Sequence, residues 1–422
     1  MSNSKLNKLC TNHGSGLIKF RSFAPMTRRK VMASAAGFGA SMLMWPRLAS
    51  AANKVNFMGW QDYDAAIDTK TASGSFFSDN NIELNATYMT DNNELIATAQ
   101  NGGIGNMDII TPDLLYAPFM AEIGMLSPLD LNRISNWDGL FDAFKTMRGA
   151  NVGGVQYCLP FAWGNVVLMY NADVISEPPT SWFDLLKPEF KGKVGLTAEM
   201  SHLLIPFTKA VTGTSNPTRI KKNEMDEAYA VLTRIKKEQA RTIAAGFGEL
   251  SAMLGSGEVL IAPAWEPMKV WAGEDAPDLK WVHPKEGSFS FVDNMAIVKD
   301  APNLDLAYKL INHSLSPEAQ AKAGNMNSLA VTVKAAVPLL DPTPRSLYDY
   351  DDVNGFWESR GGGMPEIWPV EPEGDFVTLD DVLEGVPGGG LTPAPPGRDH
   401  SPCVRGPPPL VDQRGPAPKC TR

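Results

Sequence analysis

Val55-Asn56-Phe57-Met58, Ile82-Glu83-Leu84-Asn85-Ala86-Thr87-Tyr88 and Met107-Asp108-Ile109-Ile110 are three short runs rich in apolar and β-branched residues. Between the last two lies Asn93-Glu94-Leu95-Ile96-Ala97-Thr98-Ala99-Gln100. The short runs read as strands and the longer one as a helix capped by Asn92 or Asn93. Strand–helix–strand at this spacing argues for parallel α/β structure. Working outward, further strands are expected at Val166–Tyr170, Lys193–Leu196, Val259–Ala262 and Phe291–Val298. Helices are expected at Met225–Lys237, at Leu304–Ser314 and after Ser316-Pro317-Glu318, where Ser caps and Pro fits the first turn. No repeat or linker interrupts residues 52–385. Two α/β lobes without a linker imply that the chain crosses between them more than once.

The 422 residues carry a net charge of −9, which averages over unlike pieces. Residues 1–51 hold eight basic side chains and no acid, and 386–422 hold five basic and two acidic. That leaves 25 of the 38 basic and 45 of the 47 acidic residues in 52–385, a net charge of −20. A body this acidic is a poor partner for nucleic acid or anionic membranes, which need basic patches. It attracts cations, although acidity also serves simple solubility.

Both ends stand apart. Arg28-Arg29-Lys30 precede an apolar, small-residue stretch from Val31 to about Trp45, followed by Ala49-Ser50-Ala51, a cleavage-site pattern. Residues 1–51 therefore read as an export signal, with Met26 as a possible true start. Thr27-Arg28-Arg29-Lys30-Val31-Met32 resembles the twin-arginine signal, with Val31 where Phe is usual; an ordinary secretory signal is the alternative. Residues 386–422 contain ten of the 33 prolines and no aromatic residue, a composition expected to stay disordered. Its abrupt onset suggests a frameshifted end; a functional Pro/Gly-rich tail is the alternative. Of four cysteines only Cys158 falls in the body, so neither a disulfide framework nor a Cys-based metal site is expected.

No nucleophile–base motif, phosphate loop, dinucleotide fingerprint or metal-ligand spacing is present, so no catalytic residue, metal or cofactor is assigned. Instead, aromatic residues sit beside acids near strand ends. Trp60-Gln61-Asp62-Tyr63 follows the first strand, Trp265-Glu266 follows Val259–Ala262, and Asp293 is a lone carboxylate in an apolar run behind Phe291. Ligands in open α/β sheets bind beyond the carboxyl ends of strands. Aromatic faces with a carboxylate suit an organic ammonium, through cation–π attraction and charge-assisted N–H bonds. Core packing for each Trp and an ion pair for Asp293 are the competing readings.

The body resembles the periplasmic spermidine/putrescine-binding proteins, the solute receptors of polyamine ABC importers, from about Lys54 to about Glu384. The resemblance rests on Trp60 to Tyr63, Leu159-Pro160-Phe161-Ala162-Trp163-Gly164, the run from Thr180 to Gly192, and Pro284-Lys285-Glu286-Gly287 followed by Phe291 and Asp293. It implies a type II periplasmic binding protein: two α/β lobes with crossing strands, and a hinge that closes a ligand cleft between them. Lobe one would be 54–162 plus 293–333, and lobe two 163–292 plus 334–385. Trp60 and Tyr63 would form one aromatic wall and Trp265 the other. Asp293 would clamp an amine beside Phe291, Asp62 would add an acid, and Glu199 would receive the far amine. Three positions depart from the pattern. Thr111-Pro112-Asp113-Leu114-Leu115 replaces a serine-plus-aromatic element, His202 stands where some spermidine binders have an acid, and Asn325 replaces a Tyr. The implied function is non-catalytic delivery of a polyamine to a membrane permease by a periplasmic monomer, after export through the twin-arginine or general machinery. The alternatives are another small organic cation or amino-acid-like solute, and, remotely, a secreted α/β hydrolase or transferase.

Overall fold

A computed structural model describes residues 53–197, 201–359, 367–379 and 381–382. The export signal, Glu199 and the Pro/Gly-rich tail lie outside the described residues. One ten-stranded mixed sheet organises the rest. Its strands are β1 (Lys54–Gly59), β2 (Glu83–Tyr88), β3 (Ile109–Ile110), β4 (Cys158–Asn171), β5 (Val194–Thr197), β6 (Ala240–Ala244), β7 (Ile261–Trp265), β8 (Leu279–Val282), β9 (Ser290–Ile297) and β10 (Ala330–Val331). The order is β2-β1-β3-β9-β4-β7-β5-β6, with β8 and β10 also paired to β4. The helices that matter here are α1 (Tyr63–Ile67), α2 (Asn92–Thr98), α3 (Ser201–Thr212), α4 (Lys222–Glu238), α5 (Phe247–Gly255), α6 (Leu304–Ser314) and α7 (Pro317–Asn327).

The opening strand–helix–strand reading holds. β1 pairs in parallel with β2, Lys54 opposite Glu83 to Gly59 opposite Tyr88, and with β3, Phe57 opposite Ile109. Asp91, one residue before the expected cap, accepts from the Glu94 N–H to start α2. Ser316 caps α7 in the same way, with Pro317 at its first position.

β4 joins the two halves of the sheet. Its fourteen residues are all buried. From Cys158 to Asn165 it runs antiparallel to β9, and from Val166 to Tyr170 antiparallel to β7. Such a two-sided strand reads as continuous hydrophobicity rather than alternation. Only its second half, Val166–Tyr170, is expected from sequence, because Pro160 and Gly164 break up the first. The structure gives each a reason. Pro160, which has no N–H, lies opposite Asn294 at a register shift between Asp293 and Asn294. Gly164 lies under the Phe291 ring, where a Cβ would fall 2.8 Å from two ring carbons.

The rings of Phe144, Trp163, Tyr348 and Trp357 close the core beside β10. Trp163 sits 6.1 Å from Phe144, 5.3 Å from Tyr348 and 5.2 Å from Trp357, and its Nε1 donates to the Val331 carbonyl at 3.0 Å. Two stretches of the chain after β10 pack in different places. Tyr348, Tyr350 and Trp357 pack with Phe141, Phe144 and Trp163 around β10. Residues 367–382 instead join α4: Val377 donates to the Ile220 carbonyl, Arg219 pairs with Glu373 at 2.8 Å, and the Tyr229 hydroxyl reaches the Val382 carbonyl. Trp163→Ala is expected to cost about 3–5 kcal/mol, the range for a large core truncation. Denaturant unfolding reads this directly, and a loss below about 1 kcal/mol would mean that this cluster does not hold the fold.

Candidate ligand-binding site

Asp293 pairs with Ala162 of β4 immediately before the register shift in β9, and bulges are common beside functional sites. Its carboxylate is 6% exposed and both oxygens are engaged by neutral donors. Trp60, immediately beyond the carboxyl end of β1, donates from Nε1 to Oδ1 at 3.0 Å. Tyr63, at the start of α1, donates its hydroxyl to Oδ2 at 2.6 Å. Thr111 steadies Trp60 by accepting its backbone N–H at 3.1 Å. Phe161 steadies Tyr63, with ring centroids 5.0 Å apart. Burial, followed by the charge of Asp113, pushes the Asp293 carboxyl up to about 7, although the bonds from Tyr63 and Trp60 favour its ionised form. Burial, and then the Asp293 charge, likewise raise the Tyr63 phenol well above its ordinary value.

Rings from the two halves of the sheet meet beside Trp60. Phe247, at the start of α5, lies 5.9 Å from Trp60 and 4.3 Å from Trp265 at the end of β7. Trp265 in turn stands edge-on to Phe291 at 6.4 Å. Five of the seven residues singled out from sequence, Trp60, Tyr63, Trp265, Phe291 and Asp293, thus form one assembly. Asp62 does not join it. It precedes α1 with φ of +70°, a left-handed conformation uncommon outside glycine, and its charge bears on the exposed Tyr88 phenol. Glu199 lies outside the described residues.

Four further residues reach the assembly. Phe247 completes the aromatic wall, and no sequence pattern marks it. Glu266, fully buried, turns away from Trp265 to accept from the backbone and side-chain nitrogens of Asn165, fastening β7 to the midpoint of β4. Asp113 is 1% exposed, and His202, on α3, is 4% exposed. His202 Nε2 lies 3.8 Å from Asp113 Oδ2, and its ring packs against Trp265 and Phe289. Asp113-Leu114-Leu115 carries the same signal as Asp293, a carboxylate among apolar neighbours. Among the described residues no group of three His, Cys, Asp or Glu side chains is placed to hold a metal ion, and no helix is long and apolar enough to cross a membrane.

The raised Asp293 value has a signed consequence. An unfolded Asp titrates near 4, so between about pH 4 and pH 7 the folded state binds more protons than the unfolded one. The ligand-free protein therefore loses stability as pH rises through that window. Asp293→Asn removes this loss: its melting temperature relative to the unsubstituted protein should rise from pH 4 to pH 8. A difference that stays constant across that range would show that Asp293 titrates as an ordinary carboxylate.

Comparison with known proteins places the chain in a family. Residues 71–345 match the family model described as bacterial extracellular solute-binding protein. The chain is 25% identical over 322 residues to a spermidine/putrescine-binding periplasmic protein of Escherichia coli strain K12, covering 75% of this chain and 89% of that one. It is 26% identical over 332 residues to spermidine/putrescine-binding periplasmic protein 1 of Haemophilus influenzae, covering 76% and 88%. Among solved structures, the spermidine/putrescine ABC transporter substrate-binding protein of Streptococcus pneumoniae superposes with a TM-score of 0.60 at 22% identity, covering 76% of this chain and 94% of that one. The expected two-lobed periplasmic-binding-protein fold is the one the chain adopts, and the chain belongs to the bacterial extracellular solute-binding protein family.

Proposed function

We propose that this protein captures a polyamine, putrescine or a spermidine-like amine, in the periplasm and delivers it to the permease of an ABC importer. One observation carries the reading: Asp293 is a buried carboxylate held by Trp60 and Tyr63 beside a run of aromatic rings, with no cation among its hydrogen-bond donors in the described residues. Two neutral donors leave an ionised carboxylate under-compensated in a low-dielectric site. An ammonium supplies the missing charge, and the faces of Trp60, Phe247, Trp265 and Phe291 suit its methylenes and its cation–π attraction. The names of the relatives support the same ligand class.

Burial also bears on mechanism. Asp293 is reached only when the rings of the two lobes part. We therefore place the hinge where β4 changes partner, between Asn165 and Val166, with Trp60, Tyr63 and Asp293 on one side and Phe247 and Trp265 on the other. A ligand that bridges the two sides stabilises the closed form, and a closed form distinct from the open one is what a permease can recognise. Within this reading, export places the mature protein in the periplasm, where it works as a monomer without a cofactor.

Calorimetric titration with putrescine, spermidine and simple monoamines should give binding of at least one, whereas heat from none of them would remove the polyamine reading. Asp293→Asn should weaken that binding by about 1.5–3 kcal/mol, the range for a hydrogen bond to a charged group. Unchanged affinity would make Asp293 a structural residue.

A further inference from the structure

We infer that the ammonium site is a two-carboxylate site, Asp293 with Asp113, faced by His202, and that amine binding there expels a proton. This inference rests on the amine-binding reading above and specifies its chemistry. Asp113 and Asp293 stand directly opposite each other in an isolated antiparallel bridge. The hydrogen bonds around the pair are made by its neighbours, from Leu114 N–H to the Val292 carbonyl at 2.8 Å and from Asn294 N–H to the Pro112 carbonyl at 3.0 Å. That is the narrow, non-hydrogen-bonded type of pair, in which opposed Cα atoms approach to about 4.5 Å and side chains leave the sheet side by side. Both carboxylates are nine-tenths buried or more.

Asp113 is only half satisfied. Its Oδ1 accepts the Leu115 N–H at 2.7 Å, whereas Oδ2 accepts no hydrogen bond among the described residues and faces His202 Nε2 across 3.8 Å. His202 comes from α3, in the other half of the sheet, so the pair spans the boundary between lobes. The remaining titratable groups do not neutralise it. Tyr63 already donates to Asp293, and Glu266, itself an acid, is committed to Asn165.

Two adjacent buried carboxylates do not both ionise without a compensating positive charge. In the ligand-free protein a proton on the Asp293 carboxyl supplies it, favoured by burial and then by the adjacent Asp113 charge. An arriving ammonium replaces that proton as the counter-charge, keeps its own protons and releases the displaced one to solvent. Affinity should therefore rise with pH across neutrality. It also follows that Asp113, a second buried carboxylate beside Asp293, selects for cationic over neutral ligands.

The test is calorimetric titration of the full chain with putrescine and spermidine in two buffers of different ionisation enthalpy, repeated from pH 5.5 to pH 8. We expect about one proton released per amine bound near neutrality, with Kd falling up to about tenfold per pH unit while release is complete. Asp113→Asn keeps a side-chain oxygen for the Leu115 N–H, so its fold should persist. It should cut proton release by more than half, flatten the pH dependence and weaken binding at pH 7.5 by about tenfold or more. His202→Gln should shift the pH at which proton release is half-maximal, which gives a second reading if Asp113→Asn fails to fold. Amine binding without proton release in the unsubstituted protein, or unchanged release in a folded Asp113→Asn, overturns this inference and leaves the receptor reading standing. Failure of every amine to bind removes both.

Discussion

The architecture depends on keeping one carboxylate out of water. Asp293 is buried, yet its two direct partners, Trp60 and Tyr63, are neutral. A buried charge is costly unless paired, and when its donors carry no charge the group shifts towards its neutral form. Several structural features serve that arrangement. The register shift in β9 falls next to Asp293, Gly164 leaves room for the Phe291 ring, and Thr111 fixes the Trp60 backbone. In the proposed reading, a cationic ligand recovers the stability given up at this position, so affinity and apo-state instability share one source.

Rigidity and motion are divided along the chain. β4 is continuous through both halves of the sheet, and Glu266 secures its midpoint to β7 through Asn165. Nothing so extensive crosses the mouth of the site. There, among the described residues, the halves touch through side chains, Trp60 against Phe247 and His202 opposite Asp113. Side-chain contacts can separate and re-form without breaking a ladder of backbone hydrogen bonds, which is what hinge closure requires.

Much of this was legible in the sequence, for identifiable reasons. The first strands and α2, α4, α6 and α7 announce themselves through periodicity and caps, and Ser316-Pro317 marks its helix start correctly. Trp60, Tyr63, Trp265, Phe291 and Asp293 stand out because aromatic–acid pairs at strand ends are unusual. The misses are equally physical. β6, β8 and β10 are short, and their order depends on pairing with distant strands rather than on local pattern. The first half of β4 hides behind Pro160 and Gly164, residues that normally end a strand but here meet a bulge and a ring. Phe247 follows Gly246 at a helix start with nothing local to mark it. The pairing of Asp113 with Asp293 links positions 180 residues apart and exists only in the folded sheet.

The central claim is that an ammonium occupies the space beside Asp293 under the aromatic rings. A crystal structure of the mature protein grown with spermidine or putrescine tests it most directly. The account predicts an amine nitrogen within about 3.2 Å of an Asp293 oxygen, with the ligand's methylenes between Trp60 on one side and Trp265 or Phe247 on the other. An amine bound elsewhere, with Asp293 still shielded by Trp60 and Tyr63 and touching no ligand atom, would contradict it.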